Sequence, residues 1–166
     1  VYSGVTSTFD MPNVDPNTTT IELLSARNKL GSEKSWTNYS YYFGATETNL
    51  EEIKKLDPKE TCGLKVFMGT STGTLLVEDD FALEQIFEHC PVTIVTHCED
   101  NETIKANLDK INSKNKELDA SFHPIIRNDD CCYKSSSKVI NLAKKYSADL
   151  HVLHLTTEKE IKLFEN

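Results

Sequence analysis

The chain has 166 residues, and its 18 Lys and Arg against 26 Asp and Glu give a formal net charge of −8. Apolar residues make up 38% and charged residues 27%, which suits one folded domain and excludes a disordered tail or a fibre. An acidic balance with no basic block argues against a nucleic-acid surface, and no apolar run approaches the ~20 residues of a membrane helix.

The opening Val1-Tyr2-Ser3-Gly4-Val5-Thr6 has neither the basic region nor the long apolar stretch of a signal peptide. It also lacks an initiator Met and reads as strand, so the chain is expected to begin inside a larger, cytoplasmic protein. The five cysteines form no C-x-x-C pair, and reduced thiols are expected rather than a zinc knuckle or a disulfide framework.

Two periods alternate along the chain. A β-rich run at residues 5–9 is followed by a helical period at about 20–30, where Thr20 precedes Ile21 and Leu23. A second strand at 39–43 leads to a short helix at about 50–56, behind Asn49. The third strand, 64–68, is nearly all apolar, and Asp79-Asp80 open the helix at about 79–89. A fourth strand at 92–97 precedes a helix at about 102–113. An irregular stretch at about 115–130 carries His123, Pro124 and Arg127 and reads as a candidate active-site loop. A helix at about 133–147 and a fifth strand at 150–155 follow, and a last helix starts at Glu158.

Strand then helix, five times over, predicts an α/β fold with a parallel sheet. Apolar runs such as Val92, Ile94 and Val95 suit strands buried on both faces. An open doubly wound sheet and part of a (β/α)8 barrel both fit. The first strand leads into Asp10-Met11-Pro12-Asn13 with no glycine cradle, which removes the dinucleotide fingerprint, and Gly69-Thr70-Ser71-Thr72-Gly73 lacks the Lys-Ser/Thr ending of a P-loop.

In either architecture chemistry sits at the C-terminal ends of strands. Lys65 interrupts an apolar strand. Buried, it would lose pKa, and its neutral amine could take up CO2 to become an anionic carbamate; at a sheet edge it would simply snorkel to water. His97 ends the fourth strand and suits either a zinc ligand or a polar cap. His151 and His154, three apart, should face opposite sides of a strand, so His154 is the candidate ligand and His151 a packing residue that points away.

One Lys and two His on successive strand ends carry a resemblance. With Asp10-Met11-Pro12-Asn13, Lys65-Val66-Phe67-Met68-Gly69-Thr70-Ser71-Thr72-Gly73, His97-Cys98-Glu99-Asp100, His123-Pro124-Ile125-Ile126-Arg127 and Leu150-His151-Val152-Leu153-His154-Leu155-Thr156-Thr157, the chain resembles the dihydroorotases of the amidohydrolase superfamily, in the type common among Bacteroides-like bacteria. The resemblance implies a (β/α)8 TIM barrel of the metal-dependent hydrolase type. Residues 1–166 would form a partial catalytic barrel, strands two to six of eight. It implies two zinc ions, with Lys65 as the CO2-derived carboxylated bridging lysine and His97 and His154 as ligands of the second zinc. Asn13 would hold the carboxylate of a small substrate, N-carbamoyl-aspartate or dihydroorotate, interconverted by reversible cyclisation in pyrimidine synthesis. The metal would polarise the reacting carbonyl. The family's His-x-His motif and general-base aspartate have no counterpart in the chain, the aspartate being expected beyond Asn166, so the isolated chain is expected to be inactive. A homodimer or other homo-oligomer is expected, with no nucleic-acid or membrane partner. Allantoinase- or dihydropyrimidinase-like hydrolysis, or a metal-free barrel without catalysis, are the competing expectations; Asn13 after Met-Pro favours dihydroorotase, and the Lys65, His97, His154 set argues against the metal-free barrel.

Overall fold

The computed structural model describes residues 2–69, 75–113 and 118–164. Residues 70–74, which include most of the Gly69–Gly73 loop, and residues 115–117 of the candidate loop lie outside the described residues.

Five strands form one sheet in chain order: β1 (Ser7–Asp10), β2 (Asn38–Gly44), β3 (Gly63–Met68), β4 (Ile94–Cys98) and β5 (Leu150–Val152). Every neighbouring pair is parallel. A doubly wound sheet reverses its strand order at a switch point. Here the order 1-2-3-4-5 runs without reversal, which is the winding of a barrel wall. The architecture is therefore a five-stranded partial barrel.

The crossovers are α1 (Ile21–Lys34), α2 (Leu50–Ile53), α3 (Asp80–His89), α4 (Asn101–Asn112) and α6 (Asp129–Tyr146), with α7 (Glu158–Ile161) after β5. Their starts are chemically marked. The side chains of Thr20, Asp79, Asp100 and Asn128 each accept a backbone N–H in the first turn of α1, α3, α4 and α6. Asn49 behaves differently. Its amide donates to Thr19 and Gly44 carbonyls and its oxygen accepts from Thr46 N–H, so it ties β2 to two loops instead of capping α2.

The stretch at 115–130 is not irregular throughout. It holds a 3₁₀ turn (Ala120–Phe122) and a short helix, α5 (His123–Ile126), and α6 begins four residues earlier than the apolar period suggested. Asp119 and Asn128 provide the caps that make this possible.

The core lies between sheet and helices. Leu64, Val66, Met68, Ile94 and Phe43 pack with Leu24, Leu83, Ile86, Phe87 and Val139. Alternation sends the other residues of β3 and β4 to the opposite, concave face. Register aligns Gly44, Lys65, Val95 and His151 in one row there, and Phe67 and His97 in the row nearer the strand C-termini. A Cβ on Gly44 would meet Pro12 and Leu75, so these two apolar residues cover the concave face beside Lys65. That cover, in a strand flanked on both sides, removes the edge-lysine reading: Lys65 is 2% exposed.

Gly69, just past β3, has φ +96, and a Cβ there would fall on the backbone of Glu99. Neither obstacle is a flexible side chain. Gly69→Ala is expected to cost about 2–4 kcal/mol, from left-handed strain plus overpacking. A urea titration checks this, and a loss below half a kcal/mol would mean that the Glu99 loop gives way freely.

Candidate active site

Where β4 and β5 end, two imidazoles meet. His97 Nδ1 and His154 Nε2 are 3.1 Å apart, and the rings lie edge to face at a centroid distance of 4.9 Å. His97 reaches this position by strand alternation. His154 does so because β5 stops at Val152 and the chain turns at His154 itself, with φ +37. A non-glycine residue in the left-handed region carries strain that surrounding structure must hold.

The same turn corrects the expectation for His151. Both histidines come to the concave face, because the period-2 rule ends where the strand does. His151 stands exposed in the row of Lys65 and Val95 instead of turning away.

Lys65 lies one row below His97. Its Nζ donates to the Val66 carbonyl at 3.2 Å and sits 4.1 Å from the centre of the Phe67 ring. Burial pushes its pKa down from 10.5 to about 7, only partly opposed by the Cys98 thiol. Burial also lowers His154, assisted by the charges of His97 and Lys65, so the three groups share one electrostatic environment.

Two further residues complete the arrangement. His97 Nε2 lies 3.1 Å from Glu99 Oε2, and Arg127 NH1 donates to the same oxygen at 2.7 Å. The His97 hydrogen bond, with Arg127 behind it, holds the Glu99 carboxyl below its usual range despite partial burial. Arg127 had been marked only as a loop residue, and Glu99 only as part of a motif. Their pairing spans 28 positions of sequence, and the one local hint was a carboxylate two residues after a strand-end histidine.

A cavity of about 270 Å³ opens here, lined by His97, Glu99, Arg127, Cys132, His154 and Glu160. A larger one, about 580 Å³, lies across Glu99, but its Asp80, Asp100 and Glu102 carboxylates are paired with Lys138 and Lys134. Asn13 is exposed three residues beyond β1, and no hydrogen bond links it to the histidines among the described residues. His123 is exposed at the start of α5, and all five cysteines are free thiols.

Among the described residues no three His, Cys, Asp or Glu side chains stand together as a metal site. The histidine pair nonetheless fits as part of one. Two nitrogens bound to one tetrahedral zinc at about 2.0–2.1 Å lie about 3.3 Å apart. The observed 3.1 Å is close to that, and two facing ring nitrogens need a proton or a cation between them. A carbamate on Lys65 would add oxygen donors from below.

Known proteins match this chain. A dihydroorotase of Pyrococcus abyssi is 29% identical over 98% of the chain and 33% of its own length. An L-hydantoinase of Paenarthrobacter aurescens is 27% identical over 96% of the chain and 36% of its own length. Nearly the whole chain is thus similar to one part of proteins named dihydroorotase and L-hydantoinase. It spans roughly a third of the length of the curated relatives it matches. The solved L-hydantoinase (dihydropyrimidinase) of Arthrobacter aurescens superposes with a TM-score of 0.87 at 24% identity, covering 96% of this chain and 36% of its own, a likeness of fold. No family model matches the chain. No helix among the described residues is long and apolar enough to cross a membrane.

Proposed function

We propose that the protein carrying this chain is a zinc-dependent cyclic amidohydrolase of the cytoplasm, and specifically a dihydroorotase. The observation that carries the reading is the opposed pair His97 and His154 at adjacent strand ends, directly above a buried lysine on the next strand. The cavity of about 270 Å³ beside the pair has room for a small molecule.

In this reading His97, His154 and a carboxylated Lys65 hold zinc, which polarises the ring carbonyl of the substrate. Glu99 and Arg127 keep His97 in place. Asn13, a neutral amide, donates to the substrate's carboxylate without adding charge beside the metal. Asn13 directly after Met-Pro favours dihydroorotase over the hydantoinase and allantoinase readings. Dihydroorotate carries a free carboxylate on its ring, which hydantoin and allantoin lack.

Ring opening of dihydroorotate, hydantoin and allantoin by the purified, zinc-loaded protein tests this. Preference for dihydroorotate, and cyclisation of carbamoyl-aspartate in reverse, is the expected result. A protein that binds no zinc and opens none of the three rings would overturn it. A polypeptide of these 166 residues alone is expected to show no turnover above background, because His97, His154 and Lys65 leave a metal pair short of donors. Turnover by it at an ordinary enzymatic rate would mean that the described residues already contain the whole catalytic apparatus.

A further inference from the structure

We infer that Glu99, held by Arg127, is a positioning residue that sets the tautomer of His97, so that Nδ1 is the bare nitrogen turned toward His154. This deepens, and rests on, the reading of His97 and His154 as a metal-holding pair.

The geometry leaves His97 little choice. Its Nε2 faces a carboxylate oxygen at 3.1 Å, and an ionised carboxylate only accepts. Nε2 must therefore carry the hydrogen. In a neutral ring the other nitrogen, Nδ1, then has the lone pair, and it points at His154 Nε2. Reversing the tautomer would place a lone pair against Glu99 and a hydrogen where a cation would sit.

Arg127 fixes the carboxylate in turn. The Glu99 side chain is 10% exposed, and a single oxygen receives both the imidazole and the guanidinium. Their bond of 2.7 Å is a charge-assisted one. It fixes the shared oxygen as the acceptor that His97 Nε2 faces. Each partner comes from a different element. His97 is the penultimate residue of β4, Glu99 follows the strand directly, and Arg127 lies between α5 and α6. The carboxylate is also anchored through its backbone, since Glu99 N–H donates to the Met68 carbonyl at the end of β3. The relay thus locks the ring of one strand end to the next strand and to the loop at 119–128.

Outer partners of metal-binding histidines are commonly worth about 10–100-fold in metal affinity. Glu99→Met keeps the length but removes the acceptor for both His97 and Arg127, so nothing holds the hydrogen on Nε2. Glu99→Asp keeps the charge and is the conservative rescue. Arg127→Met removes the clamp while leaving Glu99 in place. The readouts are the ¹⁵N shifts of the histidine ring nitrogens in the metal-free protein and zinc affinity by chelator competition, with circular dichroism melts to show that each variant folds.

The expected result is an Nε2–H His97 in the unsubstituted protein, a mixed tautomer in Glu99→Met with zinc binding weakened about 10–100-fold, substantial recovery in Glu99→Asp, and an intermediate effect in Arg127→Met. An unchanged tautomer with zinc affinity within twofold in folded Glu99→Met would overturn the proposal, as would an Nδ1–H ring in the unsubstituted protein. A protein that holds zinc with an Nε2–H His97 yet opens no cyclic amide would support the positioning role while counting against the dihydroorotase reading.

Discussion

Lys65→Met is expected to stabilise the metal-free chain and at the same time abolish hydrolysis by the protein that carries it. Lys65 is buried over the Phe67 ring, in the row of Gly44 that Pro12 and Leu75 cover, and no carboxylate pairs with it among the described residues. Its pKa falls from 10.5 to about 7 because burial penalises the ammonium. Below pH 7 both folded and unfolded chains carry the proton, and the penalty is present in full. Between about pH 7 and 10.5 the unfolded chain holds a proton that the folded chain has released, so stability climbs with pH across that window. Methionine fills a similar unbranched volume without a charge. The variant should therefore be more stable by a few kcal/mol at pH 6, and its stability should be flatter between pH 7 and 10. Urea titrations at pH 6, 8 and 9.5 give the comparison. A Met variant less stable than the parent at pH 6, or parallel profiles, would show that Lys65 escapes burial in solution. The opposition between stability and chemistry is the signature of a residue placed for function.

Much of this was legible in the sequence, for identifiable reasons. Apolar runs such as Leu64 to Met68 and Val92 to Val95 mark strands buried on both faces, and capping residues at Thr20, Asp79 and Asp100 announce their helices. The placing of Lys65 and His97 on strands β3 and β4 followed from those runs. Failures came where a single residue breaks a period. Alternation assigned His151 and His154 to opposite faces, but the left-handed backbone at His154 turns its ring back, and period alone cannot reveal a left-handed non-glycine residue. The loop before α6 held its own signals, Asp119 and Asn128, which lie outside any apolar repeat. The Glu99–Arg127 pair could not be read from spacing, because it depends on where that loop folds back over β4.

Metal uptake is expected to depend on CO2 through Lys65. Only the free amine attacks CO2: nitrogen gains a carbon, one proton leaves to solvent, and a neutral amine becomes an anion. A lysine at its ordinary pKa of 10.5 is about 0.1% free amine at pH 7.5, whereas one at about 7 is mostly free amine. Burial thus raises the reactive fraction by several hundredfold before any metal arrives, and the resulting anion suits the positive charge that His97 and His154 would hold as neutral ligands. Three substitutions separate this from a purely structural lysine. Lys65→Ala should lose zinc and activity, and a short carboxylic acid in solution should partly restore both by taking the place of the carbamate. Lys65→Arg should lose both without rescue, since a guanidinium stays charged and cannot be carboxylated. Lys65→Met should resist rescue too, because its side chain fills the space that the acid needs. Intact mass of the native, zinc-loaded protein reads the modification directly, as a gain of one CO2 that disappears on acidification. A zinc-loaded, active protein with an unmodified Lys65 would overturn the carbamate role while leaving the histidine pair intact.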